Sequence, residues 1–517
     1  MTTTLDLADI QGNILQDFGR GFPTARFFFL KLPQDDGAAA GRAFILDYYP
    51  KITTALPWGA SRNYPNSLIT KKPIIAINIA LSFRGLLALE LPTRTLAKFP
   101  PEFIDGMKKR AVILGDDVES NMPGRWDPIW EDDTHIMIGL NAPMDFETGR
   151  PIAALTTETD DLKQICAKHR IEIMSGHGPD KAAYQDASAL TYLDPVKKSH
   201  KPLPIEHFGF RDGLGEPFIE GQDLGPDGAS PVGGGKIVAK GKWEALATGE
   251  FLLGHPDEAQ EIPDGTAPSE ITRNGTFMVY RKLHQNIGRF NDFMAKSADT
   301  YAKITGASPD DAKNFLKAKM VGRWPDGIPL ASAPTIEARK EFKRQTEKQA
   351  DEVAKKSKLV DFSFSGDPEG IKCPVTSHIR RVNPRDGLNP VVTSTLTNRR
   401  RIVRRGLPYG RPIADDKSEH GIIFIAMCAS LSRQFEFVQQ QWLNYGLDAN
   451  AGNDTCPLLG NRTGDAKFVI PVNPDSGQAP FILSRIPQFV ETRGGDYFFL
   501  PSMTALRMIG MGVVDPT

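Results

Sequence analysis

Two segments of the sequence combine residue types that could bind a metal and move protons. Residues 373–410 contain one histidine, His378, beside a proline-bounded turn, followed by a run of arginines around Ile402 and Val403. Residues 206–213 read EHFGFRDG and place Asp212 between an arginine and a glycine. Imidazole binds iron, guanidinium groups attract anions and a carboxylate can accept a proton. The two segments together therefore supply a metal ligand, a cationic pocket and an acid–base group.

Each segment also has an ordinary structural explanation. A histidine is often a buried core residue, an arginine run is often a solvated face or a phosphate site, and GFRDG is typical of a tight turn with a surface ion pair. If His378 instead ligates a haem iron, Asp212 and Arg404 would supply the proton acceptor and the positive charge that peroxide cleavage requires. With an unperturbed pKa of ~3.9, Asp212 would be ionised unless strongly desolvated.

The overall composition is that of an ordinary soluble protein. The chain has 517 residues, 40% hydrophobic and 24% charged, with a formal net charge of -1. This length favours two domains, and the charge gives no global field to recruit nucleic acid or a membrane. Four scattered cysteines, which form no CxxC pair, argue against a zinc ribbon or a disulfide scaffold. The N-terminus shows no signal peptide and no window suits a membrane helix, so we expect a cytoplasmic location.

The hydrophobic pattern indicates an α+β protein in which a strand and helix rhythm occurs twice. Strands are predicted at residues 25–32, 73–83 and 134–140, each followed by helical spacing. The rhythm restarts with a strand at 275–283, and Ser308-Pro309 predicts a capped helix start. A glycine- and proline-rich passage at 220–242 separates the two halves, and we interpret it as a linker. Residues 335–358 are densely charged, which predicts an exposed helix or a mobile insertion.

Seven segments in this order resemble the dye-decolourising peroxidases, most closely the larger subgroup first known from fungi. The matching segments are DIQGNIL near the start, HFGFRDG at 207–213, FMVYRKL at 277–283, KMVGRW at 319–324, CPVTSHIRRVNPRD at 373–386, RRIVRRGLPYG at 400–410 and GGDYFFLPS at 494–502. The resemblance implies two ferredoxin-like domains, each an antiparallel sheet with covering helices, in a barrel-like family. We place them at residues 1–225 and 226–517, with a non-covalent haem b bound mainly by the second.

The same resemblance assigns roles to single residues. His378 occupies the position of the proximal iron ligand, Asp212 that of the distal acid, and Arg404 that of the distal arginine. Arg385 or His207 is expected to reach the haem propionates, because arginines pair with carboxylates through charge-assisted bonds. The full set of expected cofactor contacts is His378, His207, Gly209, Phe210, Arg211, Gly213, Arg385 and Phe424.

One position departs from the family pattern. A proximal histidine normally donates its second ring N–H to a carboxylate. In this chain the aligned position holds Cys456, and the nearest acid is Asp454. The partner of His378 therefore stays open between the two at this point.

The resemblance implies a peroxidase that reduces hydrogen peroxide and oxidises bulky organic substrates, such as dyes and phenols, by one-electron steps. Trp324, Trp442, Tyr409 and Tyr445 are candidates to carry electrons, although core aromatics are the more ordinary interpretation. A haem carrier or sensor without turnover, release of iron from haem, and an anion or nucleic-acid binder centred on Arg399–Arg405 are the alternatives. We expect no nucleic-acid or membrane partner and a monomer or small homo-oligomer.

Overall fold

A computed structural model of the chain describes most of its residues. The described ranges are 5–58, 70–117, 121–178, 181–222, 231–239, 242–263, 268–349, 351–388, 395–411, 415–461 and 465–514. None of the helices in these ranges has both the length and the apolar character needed to cross a membrane.

The strands coincide with the apolar runs of the sequence. They are β1 (Thr24–Lys31), β2 (Ala76–Leu81), β3 (Ile136–Ala142), β4 (Glu172–Ile173), β5 (Gln185–Ser188), β6 (Thr191–Asp194), β7 (Ser199–Pro202), β8 (Lys236–Ala239), β9 (Lys242–Glu244), β10 (Thr276–Gln285), β11 (Val403–Arg404), β12 (Leu407–Tyr409), β13 (Gly421–Cys428), β14 (Lys467–Ile470), β15 (Phe481–Ser484) and β16 (Val490–Leu500). Every residue of β2 and nearly every residue of β10 is buried, because both faces of these strands are covered.

The helices connect and cover the strands. They are α1 (Gly12–Leu15), α2 (Phe18–Gly21), α3 (Gly37–Tyr48), α4 (Phe83–Ala88), α5 (Thr93–Leu96), α6 (Pro101–Asp105), α7 (Ala111–Leu114), α8 (Ala153–Lys168), α9 (Ile287–Thr305), α10 (Pro309–Val321), α11 (Ile336–Glu347), α12 (Glu352–Val360), α13 (His378–Val382), α14 (Thr395–Asn398) and α15 (Met503–Met511). Two π-helical segments, Leu431–Glu436 and Val438–Leu443, follow β13. The predicted start of α10 is confirmed, because the Ser308 side chain accepts the Asp311 N–H.

One large antiparallel sheet holds the main strands, in the order β11-β13-β10-β16-β2-β3-β1-β4, with β12 beside β13 and β5 beside β1. Strands of the first half of the chain (β1 to β5) and of the second half (β10 to β13 and β16) form its two parts. The parts meet where β16 pairs with β2 through Phe499 and Leu81. The α+β class with antiparallel sheets and covering helices is confirmed, whereas the described strands leave the sheet open rather than closed into a barrel.

The predicted linker is only partly a plain connection. Strands β8 and β9 pair with each other in antiparallel orientation, so these two strands are ordered by backbone hydrogen bonds. The proposed boundary between residues 225 and 226 falls among residues 223–230, outside the described ranges. The division into domains at 1–225 and 226–517 therefore stays a proposal.

The described part of the charged segment at 335–358 forms helices, which is one of the two predicted alternatives. Most of α11 and α12 is polar and at least partly exposed, as the charge density predicts. The end of α12 is different, because Leu359 and Val360 are buried. Val360 also lines the cavity described next, together with Lys356 and Ser357.

Candidate active site

A cavity of about 1060 Å³ lies against both parts of the sheet. Such a volume is at the upper end of the roughly 300–1,000 Å³ typical of small-molecule and cofactor sites. Strand residues on its wall come from β1, β2, β3, β10 and β13: Phe27, Ile79, Met137, Met278, Leu283, Phe424 and Ile425. His378, Asp212 and Arg404 line the same cavity, although they come from three separate parts of the chain.

Asp212 and Arg404 form an ion pair at the cavity wall. The Arg404 Nη1 donates to the Asp212 Oδ1 at 3.0 Å, and its Nη2 donates to the Leu214 carbonyl at 3.3 Å. Their side chains keep 52% and 47% of their surface accessible, and this surface faces the cavity that both residues line. Both groups are thus available to a molecule inside the cavity.

The pair controls the charge state of Asp212. Burial raises the pKa of its carboxyl group, but the positive charge of Arg404 and hydrogen bonds from Arg404 and the Gly213 N–H outweigh burial. The pKa of Asp212 therefore lies below its ordinary value of 3.8. In return, the charge of Asp212 raises the pKa of Arg404 against the effect of burial. Asp212 is an ionised carboxylate that can accept a proton even in acid solution.

Glu206 holds the turn that presents Asp212, and the sequence analysis did not identify this role. Its carboxylate accepts the backbone N–H groups of Phe208 and Phe210 at 2.8 Å each, and the Gln285 Nε2 at 2.6 Å. The chain can close this tightly because Gly209 has a φ of 85°. The sequence signal for this role was an acidic residue placed two and four positions before backbone N–H groups that need a hydrogen-bond acceptor.

Helix α13 positions His378. Ser377 precedes the helix, is fully buried, and donates its hydroxyl to the Lys319 carbonyl at 2.5 Å. Arg381, one turn further, donates to the carbonyls of Trp442 at 2.8 Å and Tyr445 at 2.9 Å. These buried bonds anchor the helix on both sides, so that the His378 ring meets the cavity at a fixed place.

The second nitrogen of the His378 ring faces a cysteine. The Nδ1 lies 3.3 Å from the Cys456 Sγ. Burial raises the pKa of this thiol, but the nearby charge of His378, the hydrogen bond to it and the charge of Arg381 together lower it from 9.0 to about 6. Asp454, the other candidate, directs its side chain to Lys467, with Oδ1 and Nζ 3.9 Å apart.

Several buried arginines make one region of the cavity wall cationic. Arg385 lies in the left-handed region at a φ of 53° and donates to the carbonyls of Val360 and Phe362 at 2.9 and 2.5 Å. Its guanidinium also packs on the Phe362 ring, 3.7 Å from the centroid. The buried Nε of Arg211 has no hydrogen-bond partner within the described ranges. Arg323 and Arg401, neither of which was among the expected cofactor contacts, line the cavity as well.

The structure brings most of the expected cofactor contacts to the cavity. Phe210, Arg211, Gly213, Arg385 and Phe424 are on its wall. His207 and Gly209 are not among the lining residues. His207 is buried, its Nε2 lies 2.8 Å from the Tyr409 carbonyl, and its ring contacts that of His420. The structure therefore does not bring His207 to a ligand in the cavity.

The arginine run and the candidate aromatics are mostly engaged inside the protein. Arg399 pairs with Asp257 at 2.9 Å, and Arg400 packs on the Phe437 ring, 3.8 Å from the centroid. Among the aromatics, Trp324, Trp442 and Tyr409 are buried, whereas Tyr445 is exposed. The interpretation as core aromatics therefore fits all of them except Tyr445.

The residues present fit a haem. One imidazole, that of His378, enters a cavity whose wall is largely apolar, with Phe210, Phe424 and Leu458 among its members. The Arg211 Nε is a buried donor without a partner in the described residues, as a carboxylate-bearing ligand would require. A Cβ added at Gly213 would meet no atom within 4 Å, so this backbone is open toward a ligand.

Comparison with known proteins agrees with this geometry. Residues 257–472 match the family model for the C-terminal part of Dyp-type peroxidases. A dye-decolorizing peroxidase of Mycena epipterygia is 27% identical over 98% of this chain and 87% of its own length. This chain is thus similar to the Dyp-type peroxidases over nearly its whole length. Dyp-type peroxidases are haem enzymes, and the expectation of a peroxidase is confirmed by these similarities.

Further relatives extend the match over the whole chain. A dye-decolorizing peroxidase of Auricularia auricula-judae is 26% identical over 98% of this chain and 87% of its own length. The solved structure of an ancestral D-type dye decolorizing peroxidase has a TM-score of 0.71 and 25% identity, covering 98% of this chain and 99% of that one. The DyP-type fold therefore spans both parts of the sheet.

Proposed function

We propose that this protein is a haem peroxidase that reduces hydrogen peroxide and oxidises bulky organic substrates, such as dyes and phenols. A single observation carries the proposal: His378, Asp212 and Arg404 line one cavity large enough for a cofactor. Relatives named as dye-decolorizing peroxidases support it, as does a related solved structure in complex with 2,6-dimethoxyphenol. The cofactor we propose is haem b, held without a covalent bond.

His378 would ligate the haem iron through Nε2, because its Nδ1 is directed to Cys456. Arg211 and Arg385 are the proposed partners of the haem propionates. Phe210, Gly213 and Phe424 would contact the macrocycle, since all three line the cavity. The bound haem would supply the iron that splits the peroxide and passes on electrons taken one at a time from the organic substrate.

Asp212 is the proposed acid–base group. Its carboxylate accepts a proton from one oxygen of hydrogen peroxide and delivers it to the other oxygen as the O–O bond breaks. The low pKa of Asp212 keeps it ready to accept this proton in acid solution. Because the proton is returned within the same reaction, Asp212 ends the step ionised again.

Arg404 is the proposed electrostatic group. Its guanidinium lies 3.0 Å from the carboxylate it assists, and its orientation is fixed by the Leu214 carbonyl. A fixed positive charge at this place stabilises the negative charge that develops on the oxygen that leaves as the O–O bond breaks. Two one-electron oxidations of the organic substrate then complete the reduction of one hydrogen peroxide to two water molecules.

A visible spectrum of the haem-loaded protein, before and after one equivalent of hydrogen peroxide, tests this function. We expect a Soret band that changes within seconds and recovers when a dye is added and bleached. A Soret band indifferent to peroxide would favour the carrier or sensor, and no Soret band would contradict haem binding. Release of iron would appear as loss of the band with chelatable iron. The cytoplasmic location and the monomeric or small oligomeric state stay predictions.

A further inference from the structure

The contact between His378 and Cys456 differs from the carboxylate that usually supports a histidine bound to a metal. The inference below rests on the proposed function, because it concerns how His378 would be presented to iron. The His378 Nδ1 and Cys456 Sγ are 3.3 Å apart, within the range of an N–H···S hydrogen bond. The carboxylate of Asp454 is directed to Lys467 instead.

Cys456 is held rigidly at this place. Its N–H donates to the Leu443 carbonyl at 2.8 Å, and its carbonyl accepts the Gly460 N–H at 3.0 Å. The Leu459 N–H donates to the sulfur itself. Leu443 is the last residue of the π-helical segment Val438–Leu443, and such segments often occur at functional sites. The side chain is fully buried, so no water competes for the sulfur.

The segment that carries Cys456 is also tied to the helix that carries His378. Arg381 of α13 donates to the Asp454 carbonyl, two residues before the cysteine, and to the carbonyls of Trp442 and Tyr445. The imidazole and the sulfur are therefore parts of one hydrogen-bonded unit. Their distance is fixed by the buried Arg381 side chain, which is held by three backbone carbonyls.

We propose that Cys456 is the positioning residue of His378, its sulfur accepting the Nδ1–H so that Nε2 is the nitrogen presented to the haem iron. An imidazole bound to iron is neutral and lacks the positive charge that favours a thiolate beside it, and the sulfur of a neutral thiol is a weaker hydrogen-bond acceptor than a carboxylate oxygen. The imidazole consequently donates less electron density to the iron than it would beside an aspartate. Iron in this protein has a higher reduction potential than in the same protein with a carboxylate at position 456.

The test compares Cys456→Ala, Cys456→Ser and Cys456→Asp with the unmodified protein, all loaded with haem. Cys428→Ala serves as the matched control, because Cys428 is also fully buried. The ferric–ferrous midpoint potential and the iron–histidine stretching band of the ferrous state are measured. We expect Cys456→Ala to raise the potential and lower the stretching frequency, Cys456→Asp to do the opposite, and Cys428→Ala to change neither.

Equal potentials and equal stretching bands in Cys456→Ala and the unmodified protein would overturn the proposal. If Cys456→Ala does not fold, the near-isosteric Cys456→Ser protein and the Cys456→Asp protein are used instead. The proposal is then overturned if both variants agree with the unmodified protein in the midpoint potential and in the stretching band. The outcome is separable from the proposed function. If the protein binds haem but does not turn over peroxide, the proposed peroxidase function is refuted. The midpoint potential and the stretching band can still be measured, and they still decide the role of Cys456.

Discussion

Arg404 influences the reaction in two ways at the scale of single residues. In the proposed reaction it stabilises developing charge directly, and its own charge lowers the pKa of Asp212. These effects can be separated, because the first changes the rate at every pH whereas the second moves the pH at which activity is lost. The proposed proton acceptor must be ionised, so activity falls as the pH drops through the pKa of Asp212.

Replacing Arg404 with leucine should therefore change both quantities. Without the arginine, burial is left to raise the pKa of Asp212, and the acid limit of activity moves to higher pH. The rate of reaction with hydrogen peroxide should also fall by about 100-fold or more at its best pH. Arg507→Leu, at an exposed arginine of α15, is the control. An unchanged acid limit in Arg404→Leu would show that the pair does not set the ionisation of Asp212.

The sequence predicted three principal residues but not every contact that they make. His378, Asp212 and Arg404 were selected by type and by resemblance, and the structure brings all three to one cavity. His207 was selected in the same way, yet its ring is turned to Tyr409 and His420. Neighbouring residues of a turn point in different directions, so that a motif names a segment without fixing which side chain faces the ligand.

The turn at residues 206–213 is the element on which the position of Asp212 depends. Glu206 satisfies two backbone N–H groups inside this turn and accepts a third bond from Gln285. Removing the carboxylate would leave buried donors unpaired, a cost of about 2 kcal/mol or more. The carboxylate of Asp212 would also lose its fixed position beside Arg404.

Glu206→Ala should lower the free energy of unfolding by about 2 kcal/mol and slow the reaction with peroxide, since both depend on the same turn. Denaturant unfolding and stopped-flow absorbance measure the two effects. Glu220→Ala, at an exposed glutamate, should change stability by less than about 0.5 kcal/mol. Full stability in Glu206→Ala would mean that the turn does not need this carboxylate.

Regular elements were easier to predict than irregular ones. The apolar runs gave β1, β3 and β10, and the capping serine gave the start of α10, because these signals are local. A hydrophobic pattern at helical spacing does not distinguish an α-helix from the π-helical segments that follow β13. The pairing of β8 with β9 arises in a passage rich in glycine, where a hydrophobic pattern is missing.

The joining of the two parts of the sheet belongs to the scale of the whole molecule. A sequence pattern shows which segments are strands but carries little information on which distant strands pair. The strands β2 and β16 meet although they lie at opposite ends of the chain. The cavity exists only because this pairing brings β1, β2 and β3 beside β10 and β13, so its lining could not be read from either half alone.

Stability in acid solution is also a property of the whole molecule. The ring of His207 packs against that of His420, which in turn packs against that of His284, in tilted arrangements with ring centroids 5.6 and 5.3 Å apart. Burial lowers the pKa of His207 to about 4, and the charges of His420 and His284 act in the same direction. The hydrogen bond to the Tyr409 carbonyl opposes this shift but does not outweigh it. The unfolded chain therefore binds a proton more readily than the folded one between pH ~6.5 and ~4.

The contribution of neutral His207 to the free energy of unfolding is therefore fully present above pH ~6.5. It is lost as the pH falls toward ~4, by up to about 1.4 kcal/mol per pH unit. His207→Asn removes this titration. We expect the variant to gain about 2 kcal/mol relative to the unmodified protein between pH 7 and pH 4.5, measured by denaturant unfolding at both pH values. A difference between the two proteins that is independent of pH would contradict the shifted pKa.

The most direct test of the central claim is the rate at which the haem-loaded Asp212→Asn protein reacts with hydrogen peroxide. Asparagine keeps the size of the side chain but cannot accept the proton, which should slow the reaction by about 100-fold or more. Haem binding and the Soret band should stay as in the unmodified protein, because His378 is unchanged. A rate within a few-fold of the unmodified protein would show that Asp212 does not carry the proton in this cavity.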